Sequence, residues 1–214
     1  MRYRSPTLGV LVLLFGFAGP TLSAGELFNG KDFTGWEFVT TPTKDIAEVC
    51  ALKPDGSVAA AGQPVGFICT TASYENYRLH AEWRWNGKPG NGGVLVHISS
   101  GPKDRAWPLC LQIQTKNKAA GDLLPMAGAA FAEPLTSAPG AAPAIKAHTE
   151  PDSEKPVGEW NTCDIVCHSA TVEVTINGVV QNKITQATPS AGRVGFQFEG
   201  TPFEVRHVTI TPLP

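Results

Sequence analysis

Short segments in which polar and apolar residues alternate recur along this chain. Four of them are Leu79–Trp85, Val94–Ile98, Cys110–Lys116 and Val194–Gly200. Successive side chains of a strand point to opposite faces of its sheet, so each segment places its apolar residues on one face and its polar residues on the other. No stretch shows a sustained 3.6-residue period bounded by helix caps. The sequence therefore predicts an all-β fold, either a two-sheet β-sandwich or a jelly roll.

Two further segments predict how strands are connected. Thr171–Val180 alternates and then reaches Asn177-Gly178, the dipeptide favoured in a type I′ turn, which predicts a β-hairpin. Residues 123–159 are rich in Ala and Pro, and because Pro cannot donate to a β-ladder we expect a long loop there. Loops of this length are usually either functional lids or disordered, and the sequence leaves both interpretations open.

The N-terminal residues have the pattern of a secretory signal peptide. Arg2 and Arg4 precede the apolar run Leu8–Ala18, and small residues lead to a cleavage site between Ala24 and Gly25. The apolar run is shorter than the roughly 20 residues that span a membrane, and no cysteine follows the cut to carry a lipid. We therefore expect a signal peptide over residues 1–24 and one domain over residues 25–214, exported to the periplasm or secreted.

Charge and cysteine content exclude several classes of partner and cofactor. The formal net charge is −2 and there is no basic run, so a nucleic acid partner is not expected. The five cysteines lack zinc-site spacing; an odd number leaves at least one free thiol, and Cys50–Cys69 is the only disulfide considered. No metal or other cofactor is predicted, although loops containing Asp104 and Asp122 are oxygen-rich enough to hold calcium. The oligomeric state is left open.

The polar faces of the alternating segments carry the candidate site. A single polar strand face means only that it meets water, but four such faces rich in carboxylates, amides and cations favour a surface that binds a small sugar. Because the strands have matching alternation, we expect these polar side chains to converge in one concave pocket. They are Glu82, Arg84, His97, Gln112, Gln114, Lys116, Gln197 and Glu199.

Four passages, in order along the chain, resemble the 3-keto-disaccharide hydrolase family. The resemblance implies a jelly roll of the concanavalin A-like lectin/glucanase type. It also implies action on glycosides that are already oxidised at C3 of the sugar ring. The passages are LFNGKDFTGW (27–36), NGGVLVH (91–97), WPLCLQIQTKNKAAGD (107–122), and EKPVGEWN (154–161) followed by residues 172–178 and 192–213.

A C3 ketone acidifies the hydrogen at C2, so that a base can remove it and the C1 substituent can leave as an alcohol; addition of water completes a net hydrolysis. Direct hydrolysis of the same bond is the alternative that the sequence leaves open. Such a site needs a base, a donor to the enolate oxygen and an acid. The candidate catalytic residues are His97, Glu82, Glu199 and Lys116, with His97 or Glu82 as the base and Lys116 or Arg84 next to the enolate. The candidate substrate-binding residues are Arg84, Asn91, Gln112, Gln114, Gln197 and Trp107.

Each assignment has a structural alternative. Glu82 and Glu199 can pair with Arg84 or Arg206, and His97 can be a strand histidine bonded to a neighbour. Asp122 suits a turn cap, and Trp107 and Trp160 suit the core or a sugar-stacking surface.

Gln112 also departs from the family pattern, which has Glu at this place, and a neutral amide cannot act as a base. A lectin-like protein that binds sugar without cleaving it is therefore the main alternative to an enzyme. An envelope interaction protein is the third possibility.

Overall fold

The computed structural model describes residues 25–104 and 106–214, which form β-strands joined by turns and loops. Within that part of the chain, helical structure is confined to a single 3-10 turn, Ile46–Glu48. The all-β prediction is confirmed. The strands are Gly25–Glu26 (β1), Trp36–Thr40 (β2), Cys50–Leu52 (β3), Val58–Ala60 (β4), Gly66–Thr70 (β5), Tyr77–Trp85 (β6), Gly93–Asp104 (β7), Trp107–Gln114 (β8), Leu123–Met126 (β9), Asn161–His168 (β10), Thr171–Ile176 (β11), Val179–Ile184 (β12), Arg193–Phe198 (β13) and Phe203–Pro212 (β14).

The described strands form two antiparallel sheets packed face to face. The larger sheet has the order β12-β11-β10-β6-β14-β4-β3, with β1 added beside β14. The smaller sheet has the order β2-β5-β13-β7-β8-β9. Antiparallel pairing needs only tight turns between neighbours, as between β11 and β12, where Asn177-Gly178 forms the predicted hairpin. The architecture is therefore a two-sheet β-sandwich.

One apolar core lies between the two sheets and fixes which side chains face outward. Leu79 and Trp83 of β6 pack in the same core cluster as Leu111 and Ile113 of β8. Leu79, Leu111 and Ile113 are at most 1% exposed, and full burial of such a side chain contributes about 2 kcal/mol. Because β6 and β8 belong to different sheets, the polar residues that alternate with these apolar ones lie on opposite outer surfaces of the sandwich.

A β-bulge interrupts the alternation of β7 at His97. This residue has a positive φ of 56°, and the pairing of β7 with β8 shifts between Val96 and Ser100. A bulge adds a residue to one strand and rotates the side chains beyond it. His97 consequently turns toward the interior, where its ring lies perpendicular to that of Tyr77 at a centroid distance of 6.1 Å.

The predicted long loop begins later than expected, because its first residues form β9. Leu123–Met126 pairs with β8, and Pro125 fits there because β9 is the last strand of its sheet, where a missing N–H is tolerated. Further along, the Asn182 side chain donates to the carbonyl oxygens of Gly121, Lys146 and Ala147. These bonds hold the returning part of the loop against both sheets.

The predicted signal peptide lies outside the described residues, and its cleavage stays a prediction. In the described part of the chain, no helix is both long and apolar enough to cross a membrane. All five cysteines are free and buried. The disulfide considered between Cys50 and Cys69 is not formed, because β3 and β5 belong to different sheets.

Candidate functional site

A cleft of about 480 Å³ opens on the outer face of the six-stranded sheet. Its volume is within the range of about 300–1,000 Å³ that is usual for small-molecule sites. Amide side chains from β8 and β13 form its floor, and residues 141–145 of the long loop form one wall. The lining residues are Asn91, Trp107, Gln112, Gln114, Lys116, Ala119, Asp122, Leu124, Pro125, Met126, Ala127, Ala141, Ala142, Pro143, Ala144, Ile145, Gln197 and Glu199.

Three glutamine side chains, called here the amide floor, are joined by hydrogen bonds at the base of the cleft. Gln112 Nε2 donates to Gln114 Oε1 at 2.7 Å and to Gln197 Oε1 at 2.9 Å. Gln112 and Gln197 are separated by strand β7, where Gly93 lies opposite Gln114. A Cβ atom at position 93 would lie 2.6 Å from Gln112 Cγ. Glycine at this position therefore leaves the space in which the Gln112 side chain crosses to β13.

Two side-chain carbonyl oxygens, one in the amide floor and one in a neighbouring residue, accept no hydrogen bond in the described part of the chain. They are Gln112 Oε1 and Asn91 Oδ1, and both are sealed from solvent. An unpaired buried acceptor costs about 1–3 kcal/mol.

The turn after β8 carries Lys116 to the side of the cleft, and Glu154 fixes this turn. The Glu154 carboxylate accepts hydrogen bonds from Asn117 Nδ2 at 2.8 Å, Lys118 N at 2.9 Å and Trp85 Nε1 at 3.1 Å. Burial raises the pKa of Glu154, and these hydrogen bonds oppose that rise. Glu154 is a positioning residue that the sequence analysis did not identify, although it lies in one of the family-like passages.

Asp122 lines the cleft and also anchors the long loop. Its Oδ1 atom lies 2.8 Å from His148 N and 2.6 Å from His148 Nδ1, and both of these nitrogens donate to it. The predicted role of Asp122 as a simple turn cap is therefore incomplete. The sequence contained no signal for His148, because its contact with Asp122 depends on how the loop folds back.

The structure brings seven of the predicted site residues together at this cleft. They are Asn91, Trp107, Gln112, Gln114, Lys116, Gln197 and Glu199. Trp107 lines the cleft and is half-buried. The fold therefore places these seven residues close together. Their catalytic and binding roles are proposals.

The predicted convergence is wrong for Glu82 and Arg84, which lie on β6 in the other sheet. Glu82 accepts hydrogen bonds from Arg206 Nε at 2.7 Å and His207 Nδ1 at 2.9 Å. Burial by itself raises the pKa of Glu82, but these two partners outweigh burial and lower it. The structural alternative, an ion pair with Arg206, is the correct interpretation of Glu82.

Arg84 belongs to an ion-pair cluster on the same outer face. It donates through Nε and Nη2 to one oxygen of Glu204, and Lys53 donates to the other oxygen at 2.9 Å. The guanidinium carbons of Arg84 and Arg206 lie 4.5 Å and 4.1 Å from the centroid of the Trp160 ring. Trp160 therefore packs against cations on the far side of the sandwich and is not a surface of the cleft.

Convergence is also wrong for His97, which the bulge turns into the interior. His97 is 1% exposed, and its Nδ1 atom donates to the Pro189 carbonyl oxygen at 2.9 Å. Its Nε2 atom is buried and has no partner in the described part of the chain. Burial lowers the pKa of His97 to about 4. An imidazole placed there does not reach a ligand in the cleft.

Replacing Glu204 by Gln is expected to lower the free energy of unfolding by about 2 kcal/mol, because the change leaves Arg84 and Lys53 facing a neutral, 3% exposed side chain. Urea denaturation of the two proteins measures this difference. The matched control is Glu48→Gln, which removes an exposed ion pair with Lys44 but keeps an oxygen for the capping hydrogen bond from Asp45 N, so the free energy of unfolding is expected to stay nearly unchanged. Equal losses in the two variants would contradict the assignment of Glu204 as the buried centre of the cluster.

No group of three or more His, Cys, Asp or Glu side chains is placed to hold a metal ion among the described residues. The polar side chains that line the cleft are the amides, Lys116, Asp122 and Glu199.

The fold and the cleft together define a β-sandwich with a polar, small-molecule-sized site on one sheet face. The family described as 3-keto-alpha-glucoside-1,2-lyase-like domain matches residues 23–211. The chain belongs to this family, which is one of carbohydrate-acting proteins.

Solved structures show the same fold. Two candidate glycosyl hydrolases from Parabacteroides distasonis are 23% and 21% identical to the chain, with TM-scores of 0.67 and 0.63. The matches cover 90% of this chain in both cases, and 94% and 100% of those chains. A carbohydrate-binding module from Bacillus subtilis is 12% identical with a TM-score of 0.58, covering 83% of this chain and 95% of the module. A search of proteins with curated descriptions found no match.

Proposed function

We propose that the protein cleaves glycosidic bonds of 3-keto-glycosides, such as 3-keto-disaccharides, by elimination followed by hydration. The observation that carries this proposal is the composition of the cleft, where a carboxylate, Glu199, and an ammonium group, Lys116, flank the amide floor. Family membership supplies the class of substrate. The cleft volume of about 480 Å³ is large enough for a small sugar.

In the proposed reaction, Glu199 removes the hydrogen at C2 as a proton, and the electron pair of that bond moves toward the C3 oxygen to give an enolate. Lys116 stabilises the negative charge on that oxygen. The enolate then collapses back to the ketone, a C1–C2 double bond forms and the C1–O bond breaks. The aglycone oxygen takes up a proton, and the aglycone leaves as an alcohol. Water adds its hydroxyl to C1 and a proton to C2, which gives the free 3-keto sugar.

Glu199 is the preferred base among the two carboxylates that line the cleft. Asp122 is 8% exposed, which leaves little of it open to a ligand, and its Oδ1 accepts the two hydrogen bonds from His148. Its contacts suit it to hold the loop and the wall of the cleft in place. Glu199 follows directly after β13, next to Gln197 of the floor, and is half-buried.

Incubation with a 3-keto-disaccharide and with its unoxidised parent tests this function. We expect alcohol release from the keto sugar and none from the parent, because without the ketone the C2 hydrogen is not acidic enough for a side-chain base. The same reaction run in heavy water should place deuterium at C2 of the product. Equal cleavage of both sugars would remove the proposed substrate class, and cleavage without deuterium at C2 would remove the elimination step.

Binding without cleavage is the second candidate function, and Gln112 favours it. The amide floor is neutral, and an amide stands where the family pattern has Glu. A protein of this kind would bind the keto sugar in calorimetry and release no alcohol from it over hours. Export from the cell remains a prediction from the N-terminal sequence alone.

A further inference from the structure

The cleft has a polar half and an apolar half, which different strands carry. Glu199 and the amide floor, on and directly after β13 and β8, belong to the polar half. The apolar half consists of residues 124–127, on and directly after β9, and residues 141–145 of the long loop. The strand order β13-β7-β8-β9 puts three strand spacings, about 14 Å, between β13 and β9. A single sugar ring over the amides therefore leaves the β9 side of the cleft for another group.

The apolar half has no side-chain nitrogen or oxygen to offer a ligand. Residues 124–127 are Leu, Pro, Met and Ala, and residues 141–145 are Ala, Ala, Pro, Ala and Ile, so neither segment contains an aromatic ring on which a sugar could stack. The main chain of Ile145 is also occupied, because its N–H donates to Ser137 Oγ at 3.0 Å and its carbonyl oxygen accepts from Thr136 N at 2.8 Å. A sugar hydroxyl placed there would lose its hydrogen bonds to water, whereas an apolar ring would gain by leaving water.

The loop part of the apolar half is fixed at its base. Ala147 N donates to Thr136 Oγ1 at 2.8 Å. Leu123 and Lys146 exchange two main-chain hydrogen bonds of 2.9 Å. Residues 138–144 extend from this base and contain two prolines, whose rings restrict the backbone. The apolar surface is therefore formed before a ligand binds, as is usual for small-molecule sites.

The apolar half also lies outside the passages that resemble the family. The polar residues that line the cleft all fall within three of those passages, residues 91–97, 107–122 and 192–213. Residues 124–127 and 141–145 lie between the passages that end at residue 122 and begin at residue 154. The resemblance therefore concerns the half of the cleft that holds the sugar, and the C1 substituent has to be inferred from the residues of the other half.

We propose that residues 124–127 and 141–145 form the subsite for the C1 substituent, and that this substituent is the apolar ring of a hydrophobic alcohol and not a second sugar. The bond that breaks and the proton transfers are those of the proposed reaction. That the bound sugar is a 3-keto-glycoside rests on the proposed function. The preference for an apolar group at C1 rests on the residues of the subsite.

The experiment measures the affinity of the protein for two uncleavable analogues by calorimetry. Both are α-linked derivatives of 3-keto-glucose in which a CH₂ group replaces the glycosidic oxygen; one carries a cyclohexyl ring and the other a second glucose ring. The cyclohexyl analogue is expected to bind at least about tenfold more tightly, the effect of removing about 60 Å² of apolar surface from water. A preference below about threefold, or tighter binding of the two-sugar analogue, would overturn the proposal.

A double variant, Met126→Gln with Ala141→Ser, tests the subsite itself, because it adds polar atoms to both segments with little change of size. Its preference for the cyclohexyl analogue is expected to fall to about threefold or less. The matched control is Leu135→Gln with Ala138→Ser, which places the same polar groups at exposed positions of the same loop that do not line the cleft, and it should keep the tenfold preference. A tenfold preference that survives in the first variant, or an equal loss in both, would overturn the proposal.

NMR of the unmodified protein covers the case in which the double variant does not fold. The chain contains only two methionines, Met1 and Met126, so labelling the methionine methyl groups with ¹³C gives few signals, and Met126→Leu identifies the one from the cleft. Nuclear Overhauser effects are expected between the Met126 methyl protons and the cyclohexyl ring. Contacts of this methyl group with the protons of the keto sugar alone would overturn the proposal.

A cleavage assay with a 3-keto-disaccharide and with cyclohexylmethyl 3-keto-glucoside separates the subsite from the proposed reaction. A tenfold preference for the cyclohexyl analogue without cleavage of either substrate would contradict the reaction and support the subsite. Cleavage without that preference would support the reaction and overturn the subsite.

Discussion

Replacing Glu199 by Gln is expected to lower kcat on a 3-keto-disaccharide by about 100-fold or more, the usual contribution of a general acid or base. The substitution keeps the size of the side chain and its ability to hydrogen-bond, but it removes the carboxylate that is proposed to take the C2 proton. Because the amide floor and Trp107 are untouched, KM is expected to change by less than about threefold. Steady-state kinetics of alcohol release measures both quantities.

Glu82→Gln is the informative control, because the sequence made Glu82 an equally good candidate. Glu82 lies on the far side of the sandwich, paired with Arg206 and His207, so its substitution is expected to leave kcat within about twofold. Urea denaturation of both variants would show that each is folded under assay conditions. An unchanged kcat in Glu199→Gln, or a 100-fold loss in Glu82→Gln, would exclude Glu199 as the base.

The alternation of residues predicted the strands and their polar faces correctly but not the sheet to which each strand belongs. Leu79–Trp85 and Cys110–Lys116 have the same pattern because both bury one face against the same core. They bury that face from opposite sides, so Glu82 and Gln112 point in opposite directions. The sheet to which a strand belongs depends on its pairing with distant segments, and the alternation of residues within one strand does not determine that pairing.

His97 shows a second limit of a period-two argument. Its position after Val96 predicts an outward side chain, and a single bulged residue reverses that prediction. A histidine at positive φ is uncommon, and nothing in Val94–Ile98 indicates the bulge. The bulge is visible only once the register of β7 against its neighbours is known.

The walls of the cleft were the part least accessible from sequence. Residues 141–145 and the contact between Asp122 and His148 come from a loop whose path is set by the side chains of Gln181 and Asn182 on β12. Ala- and Pro-rich composition predicts that such a segment is not a central strand, but it does not determine where the segment packs. The floor was predictable because regular strands carry it, and the walls were not because tertiary hydrogen bonds place them.

Acidification is expected to destabilise the protein by about 3 kcal/mol between about pH 6.5 and pH 4 through His97 alone. In the unfolded chain the imidazole binds a proton near its ordinary pKa of 6.5, whereas in the folded protein burial lowers the pKa to about 4. The unfolded state therefore binds more protons in this window, and the free energy of unfolding falls as the pH falls. Below about pH 4 both states are protonated and the contribution of His97 no longer changes.

His97→Asn is the variant that tests this expectation, because asparagine tolerates the positive φ and its Nδ2 can donate to Pro189 as His97 Nδ1 does. Its free energy of unfolding at neutral pH is expected to be lower, because the smaller side chain leaves a cavity beside Tyr77. Between pH 6.5 and pH 4, however, the free energy of unfolding of the variant should fall by about 3 kcal/mol less than that of the unmodified protein. Urea titrations at several pH values give both curves, and subtracting them cancels the carboxylates that titrate in both proteins. Parallel curves would mean that His97 is protonated or exposed in the folded state, and the buried bulge described for it would be wrong.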